Sequence, residues 1–408
     1  MTERVVVTGM GAVSCLGDTL DGISESLRAG RSGVVLSPER KAKGFRSGLM
    51  TRLPDIDLKA ELDRKARKFM PEAAVWAALA TRRAVASAEL APEAIARDDV
   101  GVIIGNDSSS GPLIELWETL EKYHESHYLG ANMVIKVMNS TASMNLGPLL
   151  GSRGINLTIS AACASGAHAL GLGWSLIRSG LQRMVFAGGV QETNWLSMVS
   201  FDALGSFSTR EQEPEAASRP FDRERDGLVP GGGGAVLVLE SLTSARARGA
   251  RIFGEVLTYA FSSDGDHLTL PSGDGAYRCM RAALDQVGLA PGDIDYVNAH
   301  ATGTPAGDQA EARAIHRLFG ERGPPVSSTK SLTGHECWMA GASEAIYSLL
   351  MIRDRFLAGN RNFTGFDADT APIHVIPEAV PAEPRRVLSN SFGFGGTNAC
   401  LVLSRFDP

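Results

Sequence analysis

Residues Asn156 to Leu170, NLTISAACASGAHAL, change character twice within one short stretch. The run opens as a strand with β-branched residues, passes through small residues, and becomes a helix rich in Ala, Leu and Gly. A chain with this passage folds around a strand-to-helix turn. Cys163 sits at the crossover. There it faces the positive end of a helix dipole and a set of free main-chain N–H groups, which together favour the thiolate. Small neighbours leave room for a substrate. The stretch reads as a nucleophile on a turn.

At 408 residues the chain is long enough for two domains or one large duplicated one. A net charge of −6 argues against a general nucleic-acid binder. No apolar run reaches the roughly 20 residues of a membrane span. Met1-Thr2-Glu3-Arg4 leads straight into a strand, so no signal peptide is expected. The five cysteines, Cys15, Cys163, Cys279, Cys337 and Cys400, are odd in number, scattered and free of C-x-x-C pairs. That pattern fits a reducing cytoplasm and neither a zinc ribbon nor a disulfide framework.

Strands and helices alternate along the chain. Arg4 to Val7 predicts a buried strand running into a glycine turn at Gly9 and Gly11. Ser14 stands where a dinucleotide-binding fingerprint needs its third glycine, so NAD is not expected. Ile23 to Ala29 predicts a helix. Asp63 to Met70 predicts a basic helical segment, read as a solvated face or a dock for an acidic partner. Pro71 to Leu90 predicts an Ala-rich amphipathic helix. Val100 to Ile104 predicts a strand ending in the polar turn Gly105 to Gly111. His124 and His127 lack a third ligand and read as surface histidines. Met184 to Gly189 is another strand, and Thr209 to Asp226 reads as a surface loop. Gly231 to Gly234 precede a strand, not a helix, and so permit close backbone packing and not phosphate binding. From Ala250 the alternation repeats, with strands at Ile252 to Ala260, Ile294 to Asn298, Arg386 to Ser391 and Ala399 to Ser404. Helices are expected at Gly275 to Val287, Asp308 to Phe319 and Ser343 to Arg353. The pattern predicts an α/β fold of two copies of one unit, although sequence self-similarity between them is poor. The expected halves are residues 1–249, with the cysteine, and 250–408, with two histidines.

Three polar turns share one grammar: a buried strand, a reactive or basic residue, then small residues. They carry Cys163, His300 and His335. A lone Cys in an Ala-rich helix is ordinarily a small buried hydrophobe, and a lone His after a strand is ordinarily structural. Three together point to a cysteine nucleophile served by distant histidines. His335-Glu336-Cys337-Trp338-Met339 starts like a zinc H-E-x-x-H motif but lacks its second His, and no G-x-S-x-G elbow occurs.

ACASG at 162–166, NAHATGTP at 298–305, KSLTGH at 330–335 and NSFGFGGTN at 390–398 resemble the motif set of the elongating β-ketoacyl-acyl carrier protein synthases. The resemblance runs from Val5 to Leu403 and is nearest to the synthase I and II types. It implies a thiolase fold, with duplicated α/β halves in a five-layered α-β-α-β-α sandwich. It implies an acyltransferase that catalyses decarboxylative Claisen condensation of malonyl carrier protein with a Cys163-bound acyl chain. By the same resemblance His300 and His335 serve the malonyl thioester as neutral hydrogen-bond donors. Lys330 acts on His335 through Glu344. The N–H groups of Cys163 and Phe394 form an oxyanion hole, with Phe394 also gating the acyl pocket. Thr302, Thr304 and Phe392 contact substrate. Asn298, Glu311, Glu344, Ser389 and Asn390 form a supporting cluster that can hold a monovalent cation in some members. No other cofactor and no metal is implied. Arg64, Lys65, Arg67 and Lys68 match the patch that docks the acyl carrier protein, and the assembly expected is a homodimer or a heterodimer with a chain-length-factor-like subunit.

Two departures stand out. Trp338 replaces a glycine of the family's pattern and adds a ring beside the catalytic loop. The Gly105 to Ser108 turn is more polar than a long saturated chain needs. Chain elongation in type II fatty acid synthesis and a type II polyketide ketosynthase making a polyene are both left open. A thiolase would need a second active-site cysteine in the C-terminal half. Cys337 and Cys400 are the only candidates there, and neither lies in a matching motif.

Overall fold

Ten segments form one mixed sheet in the computed structural model, which describes residues 3–408. In chain order the strands are β1 (Val5–Val13), β2 (Val100–Gly105), β3 (Asn156–Ile159), β4 (Met184–Gln191), β5 (Gly233–Ser241), β6 (Gly254–Ser263), β7 (Tyr296–Asn298), β8 (Val326–Ser327), β9 (Arg386–Gly393) and β10 (Thr397–Ser404). Across the sheet they run β8-β7-β9-β10-β6-β1-β5-β4-β2-β3. Outward from the β1/β6 seam, both sides follow one plan. β1 is antiparallel to β5 and β5 to β4, while β4 and β3 flank β2 in parallel. β6 is antiparallel to β10 and β10 to β9, while β9 and β8 flank β7 in parallel. The seam is a short antiparallel pairing of Val6 with Glu255 and Val7 with Gly254. The topology is duplicated where the sequence is not.

Side-chain alternation along the strands feeds separate cores. Val236, Val238, Val102 and Ile104 pack under the Ala-rich helix α1 (Glu72–Ser87). Leu237, Leu239 and Ile103 point the other way, into a central core with α3 (Ser165–Arg178) and α6 (Ala340–Asp354). Between α1 and α3 in sequence lies α2 (Ser110–Tyr123). Val297, Leu388 and Val402 build a third core with α4 (Asp274–Asp285) and α5 (Pro305–Phe319). Every residue of α6 from Ala340 to Ile352 is buried, as befits a helix with protein on all sides.

Three expectations are corrected. Gly9 and Gly11 do not form a turn: β1 continues through them to Val13. A Cβ on Gly11 would stand 2.1 Å from the Ala80 carbonyl oxygen of α1, and one on Gly9 2.5 Å from that of Ala84. These glycines admit a helix, which a strand pattern alone does not reveal. The Thr209 to Asp226 segment is a surface loop only in part. Ala217 to Asp222 and Arg225 are buried. Its charges pair there, Arg219 with Asp222 at 2.9 Å and Arg225 with Asp367 at 2.6 Å, so they can leave water together. The basic segment is a single turn, Arg64–Arg67, capped by the Asp63 carboxylate. Extended backbone at Leu62 and Pro71 at the start of α1 leave no length for more. His124 and His127 lie on the surface, where His127 pairs with Glu125.

Candidate active site

β3 leads into Cys163 through a strained turn. Ala162 takes a positive φ of 46°, costly for a residue with a Cβ. The Ala162 N–H donates to Asp107 Oδ2 at 3.2 Å, and Ser165 Oγ accepts from Ala161 N and donates to the Ala162 carbonyl. Residues 162–164 form one 3₁₀ turn, after which α3 begins at Ser165. Cys163 therefore sits just before a helix N-terminus, 5% exposed, at the wall of a cavity of about 400 Å³.

The second half repeats this local structure. Cys337 opens a 3₁₀ turn, 337–339, with φ of 44°, and α6 follows at Ala340. Gly166 and Gly341 let the starts of α3 and α6 meet: a Cβ on Gly341 would lie 2.6 Å from Ala167 N. Cys337 thus occupies the position that Ala162 holds in the first half. Its thiol and that of Cys163 lie within 4.8 Å of each other and of a ring nitrogen of His335.

Nε2 of His335 is 3.0 Å from Cys163 Sγ. The His335 loop is held by two main-chain bonds to the buried glycine-rich segment, His335 N to Val229 O and Gly231 N to His335 O. Gly334 has a φ of 60°, and a Cβ there would meet Val229 O at 2.6 Å, so this turn requires glycine. His300 stands across from His335, ring centres 5.3 Å apart and edge-on. Glu311 of α5 accepts from His300 N at 2.9 Å and Ala301 N at 2.6 Å, while Asn390 donates to the same carboxylate. Asp308 accepts from Thr302 N and Gly303 N.

The surroundings lower both the Cys163 thiol and His300 from their ordinary ranges. The neighbouring Cys337 thiol, aided by the two imidazoles, outweighs burial and holds the Cys163 thiol well below its ordinary range. Cys337 moves well above that range, because it is buried and faces Cys163. Burial first, then the Lys330 ammonium, bring His300 down to about 3. Lys330 is ion-paired with Glu344 in the interior. Glu344 Oε2 and Asn298 Oδ1 are buried oxygens with no partner, beside buried Ser389 and Asn390.

The cavity brings together Cys163, His300, His335, Thr302, Thr304 and Phe392. Thr302 and Thr304 hydroxyls lie 3.1 Å apart, and the Phe392 ring is 6.1 Å from His300. Phe394 is 41% exposed and stacks on Phe201 at 5.5 Å. Trp338 is buried beside Phe201 and donates from Nε1 to Ser108 Oγ at 3.3 Å. The polar turn after β2 thus has partners in the site: Asp107 holds the nucleophile turn and Ser108 holds the added ring. Arg64, Lys65 and Lys68 are exposed at the surface, while Arg67 is half-buried with its Nε on Leu62 O.

Sequence reasoning placed Cys337 outside any motif; it lies against Cys163. It also missed Met198 and Phe201, which pack around Cys163 and Trp338. Nothing in their local sequence marks them. Cys163, Cys337 and His335 have the spacing of a soft-metal ligand set.

The sequence profile of the family described as "Beta-ketoacyl synthase, N-terminal domain" matches residues 2–245, and that of its C-terminal domain matches residues 253–364. The chain is 41% identical over 407 residues to 3-oxoacyl-[acyl-carrier-protein] synthase 1 of Escherichia coli K12, covering 99% of both. Its fold matches a beta-ketoacyl synthase from Burkholderia phymatum at TM-score 0.94, with 37% identity and coverage of 99% of this chain and 100% of that one. It matches the ishigamide ketosynthase/chain length factor at TM-score 0.93, with 32% identity and full coverage of both.

Proposed function

This chain belongs to the beta-ketoacyl synthase family, and we infer from its site how it works as a 3-oxoacyl-acyl carrier protein synthase, a condensing enzyme of fatty acid synthesis. The observation that carries the reading is the Cys163 thiol facing His335 Nε2 at 3.0 Å, with His300 opposite, at the wall of one cavity. Cys163 attacks the thioester of an acyl carrier protein, and the carrier's thiol leaves with a proton. Malonyl carrier protein then loses carbon dioxide, and its enolate oxygen is met by the His300 and His335 N–H groups. The enolate carbon attacks the Cys163 thioester, whose oxygen takes its negative charge toward the N–H groups of Cys163 and Phe394. Cys163 leaves as thiolate and the 3-oxoacyl product departs on the carrier.

Thr302 and Thr304 offer hydroxyls to the phosphopantetheine arm, and Phe392 supplies an apolar wall next to His300. Phe394 gates the acyl pocket from its stack with Phe201. Lys330 acts by charge: paired with Glu344, it disfavours a proton on His300. The orphan oxygens of Asn298 and Glu344, with Ser389, Asn390 and Glu311 nearby, fit a hard monovalent cation, which would neutralise buried negative charge there. Arg64, Lys65, Arg67 and Lys68 dock the acidic carrier. We read residues 1–249 and 250–408 as the two halves, stacked as α-β-α-β-α around α3 and α6.

A second copy completes the sheet in this reading. β3 is an edge strand, paired only with β2, and Leu157 on it is exposed, as are Leu113 and Trp117 of α2. An unpaired apolar edge favours pairing with an equivalent edge in a twofold dimer. Among the described residues, no helix is long and apolar enough to cross a membrane.

The test is carbon dioxide release from malonyl carrier protein in the presence of acyl carrier protein, with formation of a product two carbons longer. Both should occur with this chain; the longer product should vanish in Cys163→Ala, and carbon dioxide release should be lost in His300→Ala. Retained condensation in Cys163→Ala would overturn the reading.

The Trp338, Phe201 and Phe394 rings favour a second reading, in which the chain on Cys163 is unsaturated and stacks on them. Comparing kcat/KM for saturated and conjugated acyl carrier proteins of one length separates the two.

A further inference from the structure

No bond of the Cys337 thiol is made or broken in the condensation described above, yet the duplicated fold sets that thiol against Cys163. The two sulfurs lie within 4.8 Å, on short turns that pack against each other. A disulfide needs about 2.0 Å between sulfurs, so they must close by no more than about 3 Å, within reach of side-chain rotation. Cys163 lines the cavity, which admits small solutes, while Cys337 is fully buried behind it, with Sγ 3.4 Å from Met198 Sδ.

We propose that Cys337 is the resolving thiol for Cys163, and that hydroperoxides convert the pair to a reversible intramolecular disulfide. In the first step the Cys163 thiolate attacks the O–O bond of the hydroperoxide. An S–O bond forms, and the alkoxide or hydroxide leaves and takes a proton. In the second step Cys337 sulfur attacks Cys163 sulfur and expels hydroxide, which takes the Cys337 proton and leaves as water. Each sulfur loses one electron, and the two together reduce the peroxide bond. The sum is two thiols and ROOH giving a disulfide, ROH and water. The thiolate character of Cys163 makes it the sulfur that reacts first. The disulfide halts catalysis but stops Cys163 short of sulfinic and sulfonic acids, which thiols do not reverse.

The molecule carries its own control. Cys279 and Cys400 face each other in the third core, both fully buried and away from the cavity. Proximity alone would oxidise both pairs; the proposal oxidises one.

The experiment treats the full-length protein with hydrogen peroxide in the presence of a chelator, then alkylates it under denaturing conditions and maps its peptides by mass. The expected product is a cross-link between the Cys163 and Cys337 peptides, cleaved by dithiothreitol, with Cys279 and Cys400 recovered as alkylated thiols. Activity, normalised to each untreated protein, should return at least tenfold more completely after reduction in the natural sequence than in Cys337→Ser. In Cys337→Ser, the Cys163 peptide should gain two or three oxygens. Absence of the 163–337 cross-link, or equal accumulation of sulfinic acid at Cys163 in both proteins, would overturn the proposal. The wild-type map alone decides should the variant not fold. Peptide masses do not depend on which acyl chain the enzyme uses, so this result stands apart from the condensation assay.

Discussion

The main-chain N–H of Cys337 donates to Nδ1 of His335 at 3.3 Å, while Nε2 of the same ring faces Cys163 Sγ at 3.0 Å. A ring that accepts at Nδ1 carries its proton at Nε2 when neutral. The Cys163 sulfur therefore meets a donor, and in the proposed mechanism the same Nε2–H serves the malonyl thioester once Cys163 is acylated.

Replacing His335 by Ala removes that donor. The condensation rate should fall by roughly 10²- to 10³-fold, the usual cost of losing one donor to a developing oxyanion. The pH profile of Cys163 alkylation by iodoacetamide should move to higher pH, because a thiolate stripped of a donor binds its proton more tightly. An unmoved profile would separate His335 from the thiolate.

The Lys330–Glu344 pair is buried on both sides. Lys330→Met leaves Glu344 unpaired in the interior and should cost about 3–5 kcal/mol in urea unfolding. The double variant Lys330→Met, Glu344→Gln should recover much of that loss. Activity should stay low in both, since His300 then lacks the neighbouring positive charge. Equal instability of single and double variants would show that the ions are not coupled.

Glu336 gives a pH-dependent stability of definite sign. It is buried beside Ser343 and Tyr347, and burial lifts its carboxyl up to about 8 from an ordinary 4.5. A carboxyl raised in the folded state stabilises fully below its unfolded value and loses that contribution as pH climbs to the folded one. Between pH 4.5 and 8 this group should lower Tm progressively. Glu336→Gln should flatten the curve and raise Tm at pH 8 by a few degrees. A parallel pH dependence in the two proteins would contradict this.

The exposed basic turn makes a separate prediction. Reversing Lys65 and Lys68 to Glu should raise KM for acyl carrier protein about tenfold or more at low salt, with the difference shrinking as salt is added. Alkylation of Cys163 by a small reagent should be unchanged, since no residue of the turn lines the cavity. A loss equal for carrier-bound and small substrates would remove the turn from docking.

Much of this site was legible because its parts are local. Cys163 and His300 each follow a strand and precede small residues, a pattern that needs no partner to be seen, whereas His335 follows the helical turn Lys330–Thr333 and precedes Glu336, Cys337 and Trp338. Cys337 was not, because its meaning comes from a residue 174 positions away and from a duplication expressed in topology and backbone angles alone. Ala162 and Cys337 share a positive φ and a 3₁₀ turn, yet their sequences differ. Gly9 and Gly11 misled for a related reason: their purpose lies in α1, which the strand pattern does not contain. Arg225 suggested solvent because its partners, Asp308 and Asp367, lie far along the chain.

Covalent loading of Cys163 tests the account most directly. The protein is incubated with an acyl carrier protein bearing a medium-length acyl chain, weighed intact, and then chased with malonyl carrier protein. The mass should rise by one acyl group, mapped to the Cys163 peptide, and return to its starting value in the chase as a 3-oxoacyl product two carbons longer appears. An acyl group found on Cys337 instead, or one on Cys163 that malonyl carrier protein does not remove, would contradict it.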